Sequence, residues 1–269
     1  MRGGHPRPPR GATRREFLAG STALGLGLGL GRLAPLARAA PATTVSIARC
    51  DSYSNAELVA ALDRMFDQLG GLGRLVKGRT VALKLNLTGV GLYRLGTARQ
   101  GETYWVHPRV VGAVVHLMDR AGAQRIRLLE SAYATAMPLE EFMFRSGWDA
   151  DELARAGRRV EFENTNALGR ARDYSRFEVP GTPLLFPSYL LNHSFENCDR
   201  FVSLAKLKEH ITVGITLRLI NSYGHIPTTV YADRVPEDGP DDVPRSGRDE
   251  VYHRGARLPS RPAAPEVHP

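Results

Sequence analysis

The sequence predicts an α/β protein built on a mostly parallel sheet with flanking helices. Residues 80–87 form an almost continuously apolar run, which is typical of a strand buried on both faces. Strand-like runs follow at residues 125–130 and 201–204, and helical patterns separate the three. Strands that alternate with helices through short connections favour a parallel sheet, whose ligands bind beyond the carboxyl ends of the strands.

The predicted elements follow in chain order. An alternating first strand is expected at residues 44–48, and the capping-box residues Ser54 and Glu57 open a helix that Gly70 ends. Pro108, at a first helical position, begins another helix that ends at Gly122. The remaining predictions are helices at residues 139–145 and 150–156, a strand at 159–162 and weak strands at 177–179 and 184–186.

Residues 88–106 lack a clear period and contain several glycines and aromatic side chains. Segments of this length in compact domains are commonly functional or disordered. The aromatic content favours a lid or a ligand-contacting loop, and disorder is the alternative. Trp105 and Trp148 are expected in the core.

The amino-terminal segment carries a twin-arginine export pattern. Residues 13–18 read Thr-Arg-Arg-Glu-Phe-Leu, and Arg14 and Arg15 form the pair. The apolar run at residues 17–31 is too short to span a bilayer comfortably, and residues 37–39 offer a small-x-small cleavage site. We therefore expect a signal peptide over residues 1–39, recognition by the twin-arginine export machinery, a periplasmic or equivalent exported location, and no stable membrane span after cleavage. A chance arginine pair is the alternative.

Charge and cysteine content exclude several functions. The net charge is +8, of which residues 1–39 supply +6, so the remainder is close to neutral and does not resemble a nucleic-acid binder. Cys50 and Cys198 are the two cysteines, so the chain alone cannot hold a four-cysteine iron–sulfur cluster, and the cofactor is unknown. An exported protein could pair them in a disulfide, but the sequence does not show that they meet.

The organisation of the chain is predicted in three parts. A signal peptide occupies residues 1–39, and an α/β domain occupies residues 44–232. Residues 233–269 hold seven prolines and few large apolar side chains, which indicates a disordered tail.

Lysine usage draws attention to one loop. The chain has four lysines among its 36 basic residues, and Lys206 and Lys208 lie two positions apart with His210 two further on. A helix is expected to begin near Thr212. Lysine supplies a compact ammonium whose pKa is tunable, whereas arginine supplies a planar fork. The alternative is an ordinary solvated loop.

Polar side chains follow three of the predicted strands. Lys84 and Asn86 end one strand, Glu130 and Ser131 end the next, and the lysine loop follows the third. The carboxyl ends of parallel strands share one edge of the sheet, so we expect these groups to converge.

The converging side chains suit an anion and acid–base chemistry. Ammonium groups and helix amino termini bind phosphate or carboxylate. Clustered lysines lower one another's pKa, so a buried lysine could act as a general base or a Schiff-base nucleophile. His210 suits proton transfer near neutral pH, and Glu130 could balance charge or exchange protons.

These motifs together resemble the family catalogued as domain of unknown function 362, over roughly residues 80–225. The resemblance rests on residues 81–87, His107-Pro108, Glu130-Ser131, the Lys-x-Lys-x-His loop, residues 214–216 and residues 221–224. Ile220 stands where the family pattern usually has lysine. The resemblance implies a fold and site positions rather than a reaction.

The motifs and the family resemblance together assign candidate roles to ten residues. The candidate catalytic residues are Lys206, Lys208, His210 and Glu130, and the candidate ligand-binding residues are Lys84, Asn86, His107, Ser131, Thr216 and Asn221. Asn86, His107 and Asn221 have structural alternatives, as a strand end, a helix amino terminus and a helix cap.

The sequence is compatible with three functions. The first is an exported enzyme acting on a small anionic substrate. The second is a non-catalytic binding module or a partner of a redox system. The third is a metal site formed by His107, Glu130 and His210, although no tight ligand spacing supports it.

Overall fold

The computed structural model describes residues 44–89, 96–98, 100–132, 135–183, 186–210 and 213–231. The predicted signal peptide, the predicted tail and part of the 88–106 segment lie outside these residues. Within them, the predicted fold class is confirmed: a four-stranded parallel sheet is flanked by helices.

The strands and helices of the described residues have the following bounds. The strands are β1 (Thr80–Lys84), β2 (Arg125–Glu130), β3 (Val160–Asn164), β4 (Ser175–Glu178), β5 (Ser188–Leu191), β6 (Arg200–Ser203), β7 (Lys208–His210) and β8 (Gly214–Thr216). The helices are α1 (Asn55–Gln68), α2 (Gly73–Val76), α3 (Gln100–Thr103), α4 (Pro108–Arg120), α5 (Leu139–Arg145), α6 (Ala150–Arg155), α7 (His193–Glu196), α8 (Arg218–Asn221) and α9 (Thr228–Tyr231), with a 3-10 turn at Ser222–His225.

The main sheet has the strand order β3-β2-β1-β6, and each neighbouring pair is parallel. In its register Lys84 lies between Leu129 on β2 and Ser203 on β6. Glu130 lies beside Asn164 at the end of β3. The carboxyl ends of all four strands therefore form one edge, as the sequence predicts.

The core lies against one face of this sheet. Val81 and Leu83 of β1 are completely buried with Leu128 of β2, and α4 covers them with an apolar face. Trp105 is also fully buried, and its indole nitrogen donates to the carbonyl of Thr88 over 2.9 Å. Trp148 packs edge-on against Trp105, so both tryptophans belong to the core as predicted.

The two long helices begin as their sequences predict. The Ser54 hydroxyl accepts a hydrogen bond from the Glu57 amide at the start of α1. His107 caps α4, because its Nδ1 accepts from the Arg109 amide over 3.2 Å, and Pro108 follows. Both caps satisfy amide groups that have no partner inside the helix.

Two local predictions are wrong. Residues 44–48 form no strand and are mostly exposed, because their alternation meets no neighbouring strand. The helix expected near Thr212 is replaced by the antiparallel hairpin of β7 and β8, and the next helix begins at Arg218. Gly214 adopts a φ of 80°, which suits a turn rather than a helix start. Most of the weak strand expected at 184–186 lies outside the described residues, and a strand is found at Ser188–Leu191.

Both cysteines are free thiols, Cys50 exposed and Cys198 partly buried. In the part of the chain that the structure describes, no helix has the length and apolar character that a membrane crossing requires.

Candidate functional site

A buried ion pair joins β1 to β2 at the carboxyl edge. The ammonium of Lys84 donates to Oε1 of Glu130 and, over 2.8 Å, to the carbonyl of Leu85. Glu130 also accepts from the amides of Leu87 at 2.7 Å and Ser131 at 3.0 Å. Lys84 is 1% exposed and Glu130 is 4% exposed, so both charges depend on these partners.

Asn221 connects this pair to β6. Its Oδ1 accepts from Nδ2 of Asn86 over 2.9 Å and from the ammonium of Lys84 over 3.5 Å. Its own amide donates to the Ser203 hydroxyl over 2.8 Å. Asn221 therefore does more than end α8, because it joins the ends of two strands. Oδ1 of Asn86 is buried and lacks a hydrogen-bond partner within the described residues.

Gly224 closes over the ion pair. A Cβ atom at this position would lie 2.7 Å from Nζ of Lys84 and 2.9 Å from Oε1 of Glu130. Real Cβ atoms essentially never approach so closely, so a side chain here would force the Lys84 ammonium or the Glu130 carboxylate to move. The 3-10 turn that contains Gly224 thus packs directly against the Lys84–Glu130 pair.

A second polar cluster follows β3. Oδ1 of Asn166 accepts from the Ser131 hydroxyl over 2.7 Å and from the Thr228 amide over 2.9 Å. Its amide donates to the carbonyls of Ala132 and Thr135. Asn166 is fully buried, so it fixes the position of Ser131 and the start of α9. Ser131 is consequently engaged within the protein.

The hairpin of β7 and β8 places Lys208 against the 100–106 segment. Its ammonium donates to the carbonyl of Tyr104 over 2.6 Å and lies 4.4 Å from the centroid of the Tyr104 ring. Thr216 lies opposite Lys208 in the hairpin, so the two side chains share a face. Thr216 is 2% exposed, and its hydroxyl finds no hydrogen-bond partner in the described parts of the chain.

Lys206 lies beside a stacked pair of rings. Its ammonium donates to the Glu102 carbonyl over 3.1 Å and lies 3.4 Å from the Tyr53 hydroxyl. The Tyr53 ring stacks on His107 with centroids 3.8 Å apart. His107 thus combines its helix-capping role with a place near the lysine loop.

The charges of this region act on one another. The pKa of Lys208 is lowered to about 8, chiefly by burial. The negative charge of Glu130 opposes this shift, and the positive charges of Lys206 and Lys84 add to it. The four groups therefore share one electrostatic environment. The carboxylate in that environment, Glu130, is already paired with Lys84.

His225 lies beneath this edge as a neutral ring. It packs against Phe195 and Phe201, with centroids 4.7 and 4.8 Å away. Its pKa is lowered to about 3, chiefly by burial and also by the positive charges of Lys84 and Arg218. His225 is consequently uncharged near neutral pH.

The structure brings together the predicted ends of β1, β2 and the lysine loop. Lys84, Asn86, Glu130 and Asn221 share direct hydrogen bonds, and Lys206 and Lys208 lie within electrostatic reach. His210 lies on β7 opposite Gly214, on the same face of the strand as Lys208. Whether these residues act on a ligand stays a prediction.

The metal alternative finds no support in the geometry. Across the described ranges, no three His, Cys, Asp or Glu side chains are grouped so that they could hold a metal ion. His107, Glu130 and His210 all belong to those ranges, and His107 is engaged by the Arg109 amide and the Tyr53 ring.

Sequence reasoning missed several residues of this region: Tyr53, Tyr104, Asn164, Asn166, Ser203 and His225. Asn164 and Asn166 could have been found, because they stand at the end of β3 with the same two-residue spacing as Lys84 and Asn86 at the end of β1. Gly224 belongs to the motif at residues 221–224, but its contact with the ion pair depends on long-range packing, as does the position of Tyr53.

These features define an α/β protein with a cluster of cationic side chains at the carboxyl edge of a parallel sheet. The chain belongs to the family described as "Domain of unknown function (DUF362)", whose sequence profile matches residues 81–241. The match extends the resemblance seen in the motifs towards the carboxyl terminus.

One curated relative is the Thylakoid-associated protein sll1697 of Synechocystis sp., which is 30% identical over 197 residues. The alignment covers 70% of this chain and 52% of the relative, so the chain spans about half of that protein's length. No solved structure matches the chain significantly.

The close contact at Gly224 predicts that Gly224→Ala destabilises the protein. A methyl group would displace the Lys84 ammonium or the Glu130 carboxylate from its buried partners, and we expect a loss of about 1–3 kcal/mol in the free energy of unfolding. Urea denaturation measures this change.

Gly112→Ala is the matched control for this substitution. Gly112 lies inside α4, and a Cβ atom there would meet Leu153 at an ordinary 3.7 Å. We expect this change to stabilise the protein by about 0.5–1 kcal/mol. Equal effects of the two substitutions would contradict the close packing over the ion pair.

The lowered pKa of Lys208 predicts a pH-dependent stability. The unfolded chain keeps this proton up to about pH 10.5, whereas the folded protein releases it near pH 8, so stability rises with pH between these values. Lys208→Met removes the buried ammonium. The variant should therefore gain melting temperature over the wild type at pH 7, and the gain should shrink between pH 8 and 10.5.

Lys77→Met serves as the control, because Lys77 is exposed at the end of α2. It removes a lysine charge without removing a buried ammonium, so it shows how much of the pH dependence belongs to Lys208. A pH-independent difference for Lys208→Met would show that Lys208 titrates as an ordinary exposed lysine.

Proposed function

We propose that this protein binds a small anionic ligand, a phosphate or a carboxylate, at the carboxyl edge of its parallel sheet. Lys206 and Lys208 contribute the charge that attracts the ligand, and Thr216 and Asn86 contribute hydrogen-bonding groups. The ion pair of Lys84 and Glu130 fixes the structure of this edge. The proposal covers both an enzyme and a carrier, because both begin with binding of the ligand.

The observation that carries the proposal is the gathering of three ammonium groups at the carboxyl edge of the sheet. Three ammonium groups share one environment, and the carboxylate that acts on Lys208 is already engaged by Lys84 and two backbone amides. A bound anion would offset the repulsion between the ammonium groups and strengthen their hydrogen bonds. The buried hydroxyl of Thr216, which lies across from Lys208, supports the same location.

Thermal stabilisation by inorganic phosphate tests this proposal. A ligand that binds the folded state raises the melting temperature as its concentration rises. We expect phosphate to stabilise the wild type, and Lys206→Ala and Lys208→Ala each to lose most of that stabilisation. Sodium chloride at equal ionic strength separates binding from general screening.

Lys77→Ala is the control in this experiment, because it removes one lysine charge away from the sheet edge. It should keep the wild-type response to phosphate. An unchanged response in both Lys206→Ala and Lys208→Ala would refute the proposed site.

We further infer that the protein is exported through the twin-arginine pathway. The support is the Thr-Arg-Arg-Glu-Phe-Leu segment at residues 13–18 and the short apolar run that follows it. A relative named as thylakoid-associated agrees with a location other than the cytoplasm.

Replacement of the arginine pair tests export. In a host with the twin-arginine pathway, Arg14→Lys combined with Arg15→Lys should leave the full-length chain in the cytoplasm. Arg7→Lys combined with Arg10→Lys changes the same number of basic residues outside the pair and should export normally. Immunoblots of cell fractions report both, and normal export of the first variant would contradict the inference.

A further inference from the structure

Lys208 has the surroundings of a nucleophilic amine. Its side chain is half-buried on the inner face of the hairpin, and its nitrogen lies over the Tyr104 ring at 4.4 Å. Contact with Tyr104 holds the side chain in one place, whereas Lys77 extends into solvent. A fixed amine in partly dry surroundings meets the usual requirements for covalent catalysis by lysine.

Burial, together with the charges of Lys206 and Lys84, raises the fraction of neutral amine at Lys208. With a pKa of about 8, roughly a tenth of the Lys208 side chains are unprotonated at pH 7, against well under a thousandth for an exposed lysine. The unprotonated form is the nucleophile. A lysine placed beside other cations is an established way of reaching such a pKa.

Two further groups suit the remainder of a substrate. Lys206 lies two residues away and supplies a charge for a carboxylate or phosphate. Thr216 faces Lys208 across the hairpin, and its buried hydroxyl has no hydrogen-bond partner among the residues that the structure describes. That hydroxyl is placed to donate to an oxygen on the carbon that the amine attacks.

We propose that the amine of Lys208 forms an imine with the carbonyl carbon of a small compound that also carries a carboxylate or phosphate group. The inference rests on the proposed function, since the same site binds the anionic group. The nitrogen–carbon bond forms, the carbon–oxygen double bond breaks, and the oxygen leaves as water with the two hydrogens of the amine. The step is a condensation, so it consumes neither an oxidant nor a reductant.

Reductive trapping tests the imine directly. The full chain is incubated with pyruvate or with glycolaldehyde phosphate in the presence of cyanoborohydride, which reduces the imine to a stable secondary amine. Intact mass spectrometry and peptide mapping then locate the adduct. We expect one adduct, at Lys208, with at least one of the two probes in the wild type and in Lys77→Arg.

Lys208→Arg separates the imine from anion binding. Arginine keeps the positive charge, so this variant should still be stabilised by inorganic phosphate, but it should form no adduct. Lactate provides a second comparison, because it has the carboxylate of pyruvate without the carbonyl group. It should stabilise the wild type and leave no adduct.

The outcomes distinguish the two proposals. Stabilisation by phosphate and pyruvate without a trapped adduct from either probe would overturn the imine and leave the anion site intact. Equal labelling of Lys77 and Lys208 would also overturn it, since the reaction would then be general to lysines. Loss of both stabilisation and trapping would refute the anion site together with the imine.

Discussion

The buried Lys84–Glu130 pair is the interaction on which the arrangement of this edge depends. Leaving either charge alone in the interior would cost about 3–5 kcal/mol, so the surrounding structure must keep both partners in place. Three groups hold the pair by hydrogen bonds: the amides of Leu87 and Ser131 and the side chain of Asn221. Gly224 leaves room for the pair because it has no side chain. Because these groups come from different parts of the chain, the pair ties the loops after β1 and β2 to the segment after β8.

The hairpin of β7 and β8 has an unusual arrangement of side chains. A surface hairpin normally turns its apolar side chains inwards, but here Lys208 and Thr216 share the inner face. Ile215, on the other face, is 49% exposed, and Leu207, just before β7, is 67% exposed. The hairpin therefore brings a charged side chain to the sheet edge. The carboxylate that acts on Lys208, Glu130, is already paired with Lys84.

The sequence predicted the strands and helices whose buried apolar residues recur with a regular period. The strand at Arg125–Glu130 and the helix at Pro108–Arg120 follow from apolar patterns and from caps that lie next to them in the chain. The gathering of Lys84 and Glu130 followed from parallel topology alone. The prediction was wrong where one local pattern is compatible with two structures. Residues 214–216 resemble a helix start, but Gly214 has a positive φ and the segment forms a hairpin strand. It also missed Tyr53 and Asn166, because their partners lie far away in the chain, and it gave Gly224 no role beyond its place in the motif at residues 221–224.

Titration of the lysine side chains by NMR tests the central claim most directly. The chain has four lysines, so a sample labelled at the lysine Cε carbons gives few signals, and Lys77 acts as an internal reference for an exposed ammonium. The account predicts that the Lys208 signal titrates near pH 8, well below the 10.5 of an ordinary lysine, and that replacing Lys206 with methionine moves this midpoint upwards. A Lys208 midpoint close to 10.5 that does not change when Lys206 is replaced would show that these charges do not share one environment.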